Sequence, residues 1–203
     1  FLMTSGCIKH YAAYSQETGR DSFAAVVTDQ DMLDTYLPAF KTSIVDGKAS
    51  SVMCSYNAET WGEGVYGPNT WGEDQHGAIP SCANGGILND LIRDQWDFDG
   101  YVTSDCGAVQ DVATNHDYTN TTFETVNAVL SAGMDSDCGS YMDQSTMETL
   151  INDNQDSEEF MGLIDGSLTH LFKVQFRLGF FDPRSKVPFS QWGAEVVDTD
   201  EHR

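Results

Sequence analysis

Residues 100–107 read Gly-Tyr-Val-Thr-Ser-Asp-Cys-Gly, and they carry the strongest fold signal in the chain. Tyr101, Val102 and Thr103 favour β-structure, so the stretch predicts a strand that leaves a glycine turn and ends at Asp105. A helical pattern over residues 87–96 precedes it. A carboxylate just past a strand end suits catalysis in an α/β barrel, where active sites gather at the carboxyl ends of the strands. Alone, the motif also fits Asp105 as a turn or cap residue.

The surrounding sequence repeats this strand and helix alternation. Further strands are predicted over residues 1–7, 51–57 and 132–138, and helices over residues 29–45, 87–96 and 123–131. Met147, Leu150 and Ile151 mark another helix, and a long last helix runs from a Ser157 cap to Gly179. The fold class is therefore α/β with four βα units, half of an eight-stranded barrel. A flavodoxin-like open sheet is the alternative, but no glycine-rich phosphate loop follows any predicted strand.

Charge and length limit the partners. The chain has 203 residues, with 10 Lys and Arg against 32 Asp and Glu, a formal net charge of -22. This balance argues against nucleic acid and anionic membrane partners, which need a basic surface. No run of 18 apolar residues is present in the sequence. The chain begins at Phe1 and stops at Arg203 without a terminal feature, so we expect both ends to be truncated.

The five cysteines leave two interpretations open. Cys7, Cys54, Cys82, Cys106 and Cys138 form no CxxC pair and have no His at zinc-ligand spacing, so no metal and no cofactor is expected. They could be buried free thiols, or they could form one or two disulfides in a secreted protein with one cysteine left over. Asn120-Thr-Thr122 is a glycosylation sequon, which matters only in a secreted protein.

Other candidate site residues also lie near predicted strand ends. Lys9 and His10 follow the first strand and could bind hydroxyls or stabilise a carboxylate, although an exposed basic pair fits as well. Residues 59–78 form a long glycine-rich segment predicted to be an irregular loop. Its aromatic residues could stack on sugar rings, or the segment could be a mobile insertion. These aromatic residues are Trp61, Tyr66 and Trp71.

Several segments together resemble glycoside hydrolase family 3. They are Lys9-His10-Tyr11, Ser51-Val-Met-Cys-Ser-Tyr-Asn57, Ser81-Cys-Ala-Asn84, residues 88–96, residues 100–107, Ala132-Gly-Met-Asp-Ser-Asp-Cys-Gly139 and Arg177-Leu-Gly-Phe-Phe-Asp182. The likeness covers most of the chain except residues 59–78. Within the family, the chain looks most like the β-xylosidases and arabinofuranosidases, which carry Ser-Asp-Cys where many β-glucosidases carry Ser-Asp-Trp. The branch of N-acetylglucosaminidases with a glycine-rich loop after Lys-His is not matched.

The resemblance implies a site and a mechanism. Asp105 would be the nucleophile of a retaining glycosidase, with Lys9 and His10 holding sugar hydroxyls and Met53 and Tyr56 lining the same subsite. The family's general acid/base Glu would lie in a second domain outside this chain. Glu59, Glu63 and Glu73 are acids near the site, but no family motif supports them in that role.

The resemblance also implies an organisation. Residues 1–183 would be the C-terminal half of the family's (β/α)8 domain and residues 184–203 a linker, in a secreted, cell-wall or vacuolar protein. The expected substrate is an oligosaccharide or an aryl or alkyl glycoside, most often a terminal β-xyloside, with this chain alone inactive. The alternatives are a β-glucosidase of the same family and a non-catalytic carbohydrate-binding relative.

Overall fold

Six strands form two sheets in the computed structural model, which describes residues 1–61 and 77–203. In chain order they are β1 Cys7–Tyr11, β2 Ala24–Val27, β3 Ser51–Cys54, β4 Ala58–Trp61, β5 Ile79–Pro80 and β6 Tyr101–Ser104. The main sheet has the order β1-β3-β6, and both of its pairings are parallel. In the second sheet, β2 pairs parallel to β4, and β5 pairs antiparallel to β4.

Helices connect the parallel strands of the main sheet, as a βα architecture requires. Segments Asp29–Asp31, Met32–Tyr36 and Leu37–Val45 follow one another between β1 and β3, and Gly86–Gln95 lies between β3 and β6. The remaining longer helices are Ala108–Thr114, Thr122–Ser131, Gln144–Asp153 and Glu158–Leu178. The α/β class and the parallel pairing predicted from the sequence are confirmed. The count of four complete units is not, since the described residues form three parallel strands in this sheet.

The fourth predicted strand is shorter than expected. Within residues 132–138, only Ser136 joins the sheet, through an isolated parallel bridge to Thr103. The side chain of Asp135 explains part of this, because its Oδ2 accepts a hydrogen bond from Val102 N at 2.7 Å. A side chain therefore takes the place of one backbone partner at the edge of β6.

The first predicted strand is displaced along the chain. The sequence pattern places it at residues 1–7, whereas β1 runs from Cys7 to Tyr11. The apolar start of the chain instead lies against the end of the last helix, where Leu2 N donates to Arg177 O at 2.6 Å. The strand thus covers Lys9 and His10, which the sequence analysis placed after it.

The helix ends agree with their sequence signals. Ser157 Oγ accepts from Phe160 N at 3.2 Å, and Gly179 ends the last helix in the left-handed region at φ 80°. Thr28 Oγ1 accepts from Asp31 N at 3.1 Å at the first helix. Wider π-type turns at Met32–Tyr36 precede Pro38, which has no N–H to donate to the preceding turn.

The second sheet was not predicted. Residues 59–78 were interpreted as an irregular loop, but residues 59–61 belong to β4, and β5 begins at Ile79. The strands of this sheet lie on the segments that leave the carboxyl ends of β1 and β3. It therefore flanks the end of the main sheet where the candidate site was expected. Residues 62–76, including Tyr66 and Trp71, lie outside the described residues.

Two disulfides decide between the cysteine interpretations. Cys54 at the end of β3 is bonded to Cys82, and Cys106 after β6 is bonded to Cys138, which leaves Cys7 as the free and exposed thiol. Both bridges lie at the carboxyl end of the main sheet.

A large apolar cluster packs under the main sheet. Val52 and Val102 at the centre of their strands are fully buried, and so are the helix residues that cover them. These helix residues are Ile87, Leu88, Leu91, Ile92, Val109 and Val112. Strands and helices therefore share one core beneath the strand ends.

Two further observations concern the rest of the chain. Among the described helices, none combines the length and apolarity needed to cross a membrane. Residues 184–203 contain four short 3₁₀ turns, and Val187 between the first two of them is buried. Their assignment as a linker stays a prediction.

Candidate functional site

Asp105 lies one residue past the end of β6, where the chain turns into the helix Ala108–Thr114. Its backbone N donates to Cys54 O at 3.0 Å, which extends the pairing of β6 with β3, and its carbonyl accepts from Ala108 N at 3.0 Å. The turn needs Gly107, whose φ of 97° strains any residue with a Cβ. The strand on one side and the helix on the other therefore hold this carboxylate in place.

The Asp105 carboxylate is mostly buried, and a nitrogen atom lies beside each of its two oxygens. Oδ1 accepts a hydrogen bond from Cys106 N at 2.8 Å, and Oδ2 lies 3.4 Å from His10 Nε2. The residue is 8 % exposed, so little of it is accessible to solvent. A carboxylate held in this way can present an oxygen to a substrate, and the ionised carboxylate is the form that acts as a nucleophile.

Tyr56 forms the wall next to Asp105. Its hydroxyl donates to Cys106 O at 2.9 Å, and its own carbonyl O lies 2.8 Å from His116 Nε2. Burial raises the pKa of Tyr56 above its usual value, and the negative charge of Asp105 raises it further. The phenol therefore stays neutral. The structure brings Asp105, His10 and Tyr56 close together, and their roles stay predictions.

Lys9 and Met53 lie on the strands that neighbour Asp105, without a described contact to its carboxylate. Lys9 is exposed on β1. Met53 is in register with Thr103 on β6, and residues in register share a face of a parallel sheet. Asp105 follows Thr103 by two residues, so Met53 and Asp105 are on the same side. The roles of Lys9 and Met53 remain predictions.

The sequence analysis missed an aromatic and basic group beside this site. Tyr14 packs its ring 5.1 Å from that of His10 and 6.2 Å from that of Tyr56. The Arg20 guanidinium lies over the Tyr56 ring, with Cζ 4.8 Å from the ring centroid. Both residues are on the loop that follows β1. The available signal was that position, because loops after barrel strands form the site.

Asp111 is a second acid near Arg20 and His116. Burial raises the pKa of Asp111, and the charge of Asp21 adds to the effect, while His116 and Arg20 oppose it. Asp111 is on the helix after Asp105 and accepts from Asn115 Nδ2 at 2.6 Å. No contact between Asp111 and His10 is described, so Asp111 can serve as a control carboxyl when Asp105 is replaced.

Two predictions about residues 59–78 are wrong. Trp61 was considered for sugar stacking, but it is 5 % exposed and its Nε1 donates to Asp29 Oδ1 at 2.9 Å. Glu59 was placed on a loop near the site, but it lies within β4 and is fully buried. Glu63 and Glu73 lie outside the described residues.

Comparison with known proteins identifies the family. Residues 3–174 match the model described as the glycosyl hydrolase family 3 N terminal domain. The chain belongs to glycosyl hydrolase family 3. This agrees with the position of Asp105 at a strand end and with the parallel sheet described above.

Curated relatives of this family 3 chain carry xylosidase names. The chain is 41% identical over 208 residues to "Probable beta-D-xylosidase 6" of Arabidopsis thaliana, covering 100% of the chain and 23% of that protein. It is 35% identical to "Beta-xylosidase/alpha-L-arabinofuranosidase 1" of Medicago sativa subsp. varia, covering 100% of the chain and 24% of that protein. The chain thus spans about a quarter of the relatives it matches.

Solved structures of the family share the fold. A GH3 exo-beta-xylosidase (XlnD) in complex with a xylobiose aziridine probe matches with a TM-score of 0.74 and 31% identity, over 91% of the chain and 22% of that structure. A beta-glucosidase from Listeria innocua in complex with glucose matches with a TM-score of 0.71 and 26% identity, over 98% of the chain and 24% of that structure. Family 3 members with both activities therefore share this arrangement.

Proposed function

We propose that this chain supplies the nucleophile of a retaining exo-glycosidase that hydrolyses terminal β-linked sugars, with β-xylosides as the leading substrates. The observation that carries the proposal is the mostly buried Asp105 carboxylate at the end of β6, contacted by Cys106 N and lying 3.4 Å from His10 Nε2. Xylosidase names among the curated relatives support the choice of sugar. A β-glucosidase activity is the alternative within the family.

The proposed reaction has two steps. An Asp105 oxygen attacks the anomeric carbon, the bond to the leaving oxygen breaks, and that oxygen takes a proton from a general acid. Water, deprotonated by the same group, then attacks the anomeric carbon of the glycosyl-enzyme and returns Asp105 as a carboxylate. We assign the acid/base to a Glu outside this chain, in the second domain that the resemblance to the family implies; the chain covers 23% of the length of "Probable beta-D-xylosidase 6".

The proposed binding roles follow from the positions of the side chains. Lys9 and His10 on β1 would bind sugar hydroxyls, while Met53 and Tyr56 would line the subsite beside Asp105. Arg20, over the Tyr56 ring, adds a donor on the same side. These groups suit the non-reducing end of an oligosaccharide or an aryl or alkyl glycoside.

We also propose that residues 1–183 form the C-terminal half of a (β/α)8 domain and that residues 184–203 lead to a second domain. Exposed apolar side chains on and after the last helix support this proposal, because a second domain would cover them. Phe176 is 59 % and Phe180 is 70 % exposed. The 203-residue piece alone is expected to associate and to hydrolyse nothing efficiently. A secreted, cell-wall or vacuolar location is proposed from the two disulfides, which are typical of oxidising compartments.

A mechanism-based label tests the proposed function. The native protein would be incubated with fluorinated β-xyloside and β-glucoside reagents, and intact and peptide masses would be measured. We expect a covalent label on the peptide that carries Asp105, formed faster by the xyloside reagent. Asp111→Asn should keep the label and Asp105→Asn should lose it. No label from either reagent on folded native protein would instead favour a non-catalytic carbohydrate-binding function.

Replacing Tyr56 by Phe should produce a moderate loss of activity. The change keeps the ring that packs against Arg20 and removes the hydroxyl that donates to Cys106 O. We expect kcat/KM toward an aryl β-xyloside to fall about tenfold, the equivalent of one hydrogen bond. Steady-state kinetics of the native protein measures this. An unchanged kcat/KM would show that the hydroxyl does not position the turn after Asp105.

A further inference from the structure

Glu59 is a buried carboxyl group that the proposed reaction does not use. It lies on β4 with 0 % exposure, and its two oxygens meet Ser81 Oγ and Asn84 Nδ2, the latter at 2.9 Å. Within residues 1–61 and 77–203, no Lys, Arg or His forms an ion pair with it. A buried carboxylate without a cation is costly, so a neutral carboxylic acid is favoured.

The hydrogen-bond network around Glu59 can hold one more proton. Ser81 Oγ lies 2.9 Å from both Asn57 O and Ser55 Oγ, and Ser55 Oγ lies 3.3 Å from Ala12 O. If Glu59 carries a proton, it can donate to Ser81, Ser81 to Asn57 O, and Ser55 to Ala12 O. If Glu59 is ionised, the single hydroxyl hydrogen of Ser81 must point to Glu59. Ser81 Oγ then no longer donates a hydrogen bond to Asn57 O.

The network ends on two backbone segments of the candidate site. Ser55 and Asn57 flank Tyr56, whose hydroxyl fixes the turn after Asp105. Ala12 follows His10 by two residues, and its carbonyl also accepts from Asn57 Nδ2 at 3.2 Å. Glu59 therefore connects to the chain beyond β1 and to the chain beyond β3, behind the side chains that contact Asp105.

We propose that Glu59 is a positioning residue that acts as a neutral carboxylic acid and holds the Tyr56 segment and the chain after His10 against Asp105. The role rests on the proposed glycosidase function for its catalytic consequence. The pKa of Glu59 supports it, because burial raises it from 4.5 to about 8 against the opposing hydrogen bonds of Ser81 and Asn84. Tyr11 on β1 is the titratable neighbour among the described residues, and burial raises its pKa well above the usual range, so it is neutral too.

The sign of the pH effect follows from the raised pKa. Below pH 4.5 the carboxyl is protonated in both the folded and the unfolded chain, so its contribution to stability is fully present. Between pH 4.5 and about 8 the unfolded chain loses the proton and the folded chain keeps it, so stability falls as pH rises. Above that range the folded protein also ionises, and the loss is complete.

Glu59→Gln is the matched variant. A glutamine side chain can donate to Ser81 Oγ and accept from Asn84 Nδ2 without a charge. At pH 5 we expect Glu59→Gln in the native protein to keep kcat/KM for an aryl β-xyloside within about threefold. Its Tm should fall less than that of the wild type between pH 5 and 8. Glu59→Ala, which breaks the network, should lower kcat/KM about tenfold or more. Glu148→Gln is the same change at an exposed helix position, and it should alter neither kcat/KM nor the pH dependence of Tm.

Any of three results would overturn this role. If Glu59→Gln is as inactive as Asp105→Asn, the carboxylate itself takes part in the chemistry. If its Tm changes with pH in parallel with the wild type, Glu59 is ionised in the folded protein. If the wild type turns over neither xyloside nor glucoside, the proposed function fails separately. Calorimetric binding of xylose and glucose then replaces kcat/KM as the measure of how well the site residues are positioned. If Glu59→Ala binds these sugars as the wild type does, the inference is also contradicted.

Discussion

Asp105→Asn in the native protein is expected to lower kcat for an aryl β-xyloside by at least about a thousandfold, with the fold and its Tm nearly unchanged. The amide is the same size as the carboxylate and keeps an oxygen for Cys106 N, so the turn after β6 persists. It cannot form the glycosyl-enzyme, because an amide is a poor nucleophile. Kinetics and thermal unfolding of the two proteins measure the two halves of this expectation.

Chemical rescue separates a lost nucleophile from a damaged site. Asp105→Ala leaves room beside the anomeric carbon, and added azide can attack it in place of the carboxylate. An activated aryl β-xyloside should then yield the α-configured glycosyl azide, since one displacement inverts the centre. Asp111→Asn should retain the covalent step and form no azide adduct. If Asp105→Ala forms no azide product, or if Asp105→Asn keeps near wild-type kcat, Asp105 is not the nucleophile.

The parts of the site that lie at strand ends could be predicted from the sequence. Asp105 and His10 each lie on or directly after a short run of strand-forming residues, and parallel strands bring their carboxyl ends to one edge. Tyr56 follows β3 in the same way. Strand propensity and alternation are local properties, so they appear in one sequence without any partner. The helix caps at Ser157 and Gly179 were visible for the same reason.

The rest depends on contacts between distant residues. Arg20 reaches the Tyr56 ring because the loop after β1 folds back, and no local pattern encodes that path. Glu59 looked like a solvent-exposed loop acid, because a charged residue is almost never buried without a partner. Its burial follows from the pairing of β4 with β2, whose residues lie more than thirty positions earlier in the sequence. The length of the fourth strand was overestimated, because the side chain of Asp135 accepts a hydrogen bond from Val102 N at the edge of β6.

The disulfide after Asp105 links the proposed nucleophile to the segment that follows the helix Thr122–Ser131. Cys106, the residue directly after the acid, is bonded to Cys138. Backbone contacts run alongside it, with Gly107 N donating to Cys138 O at 2.7 Å and Cys138 N donating to Ser104 Oγ at 2.8 Å. The bridge therefore adds to contacts that already hold Asp105 in place.

Removing this bridge should mainly reduce stability. In the chain-entropy account, a crosslink across 32 residues stabilises the folded state by about 3–4 kcal/mol. The double variant Cys106→Ala/Cys138→Ala should therefore show a clearly lower Tm in thermal unfolding of the native protein. Well below that Tm, kcat/KM should fall only several-fold, because Gly107 and Ser104 keep their bonds to residue 138. Cys7→Ser removes the free exposed thiol and should change neither quantity. An unaltered Tm in the double variant would show that the bridge is absent from the native protein or constrains nothing in its unfolded state.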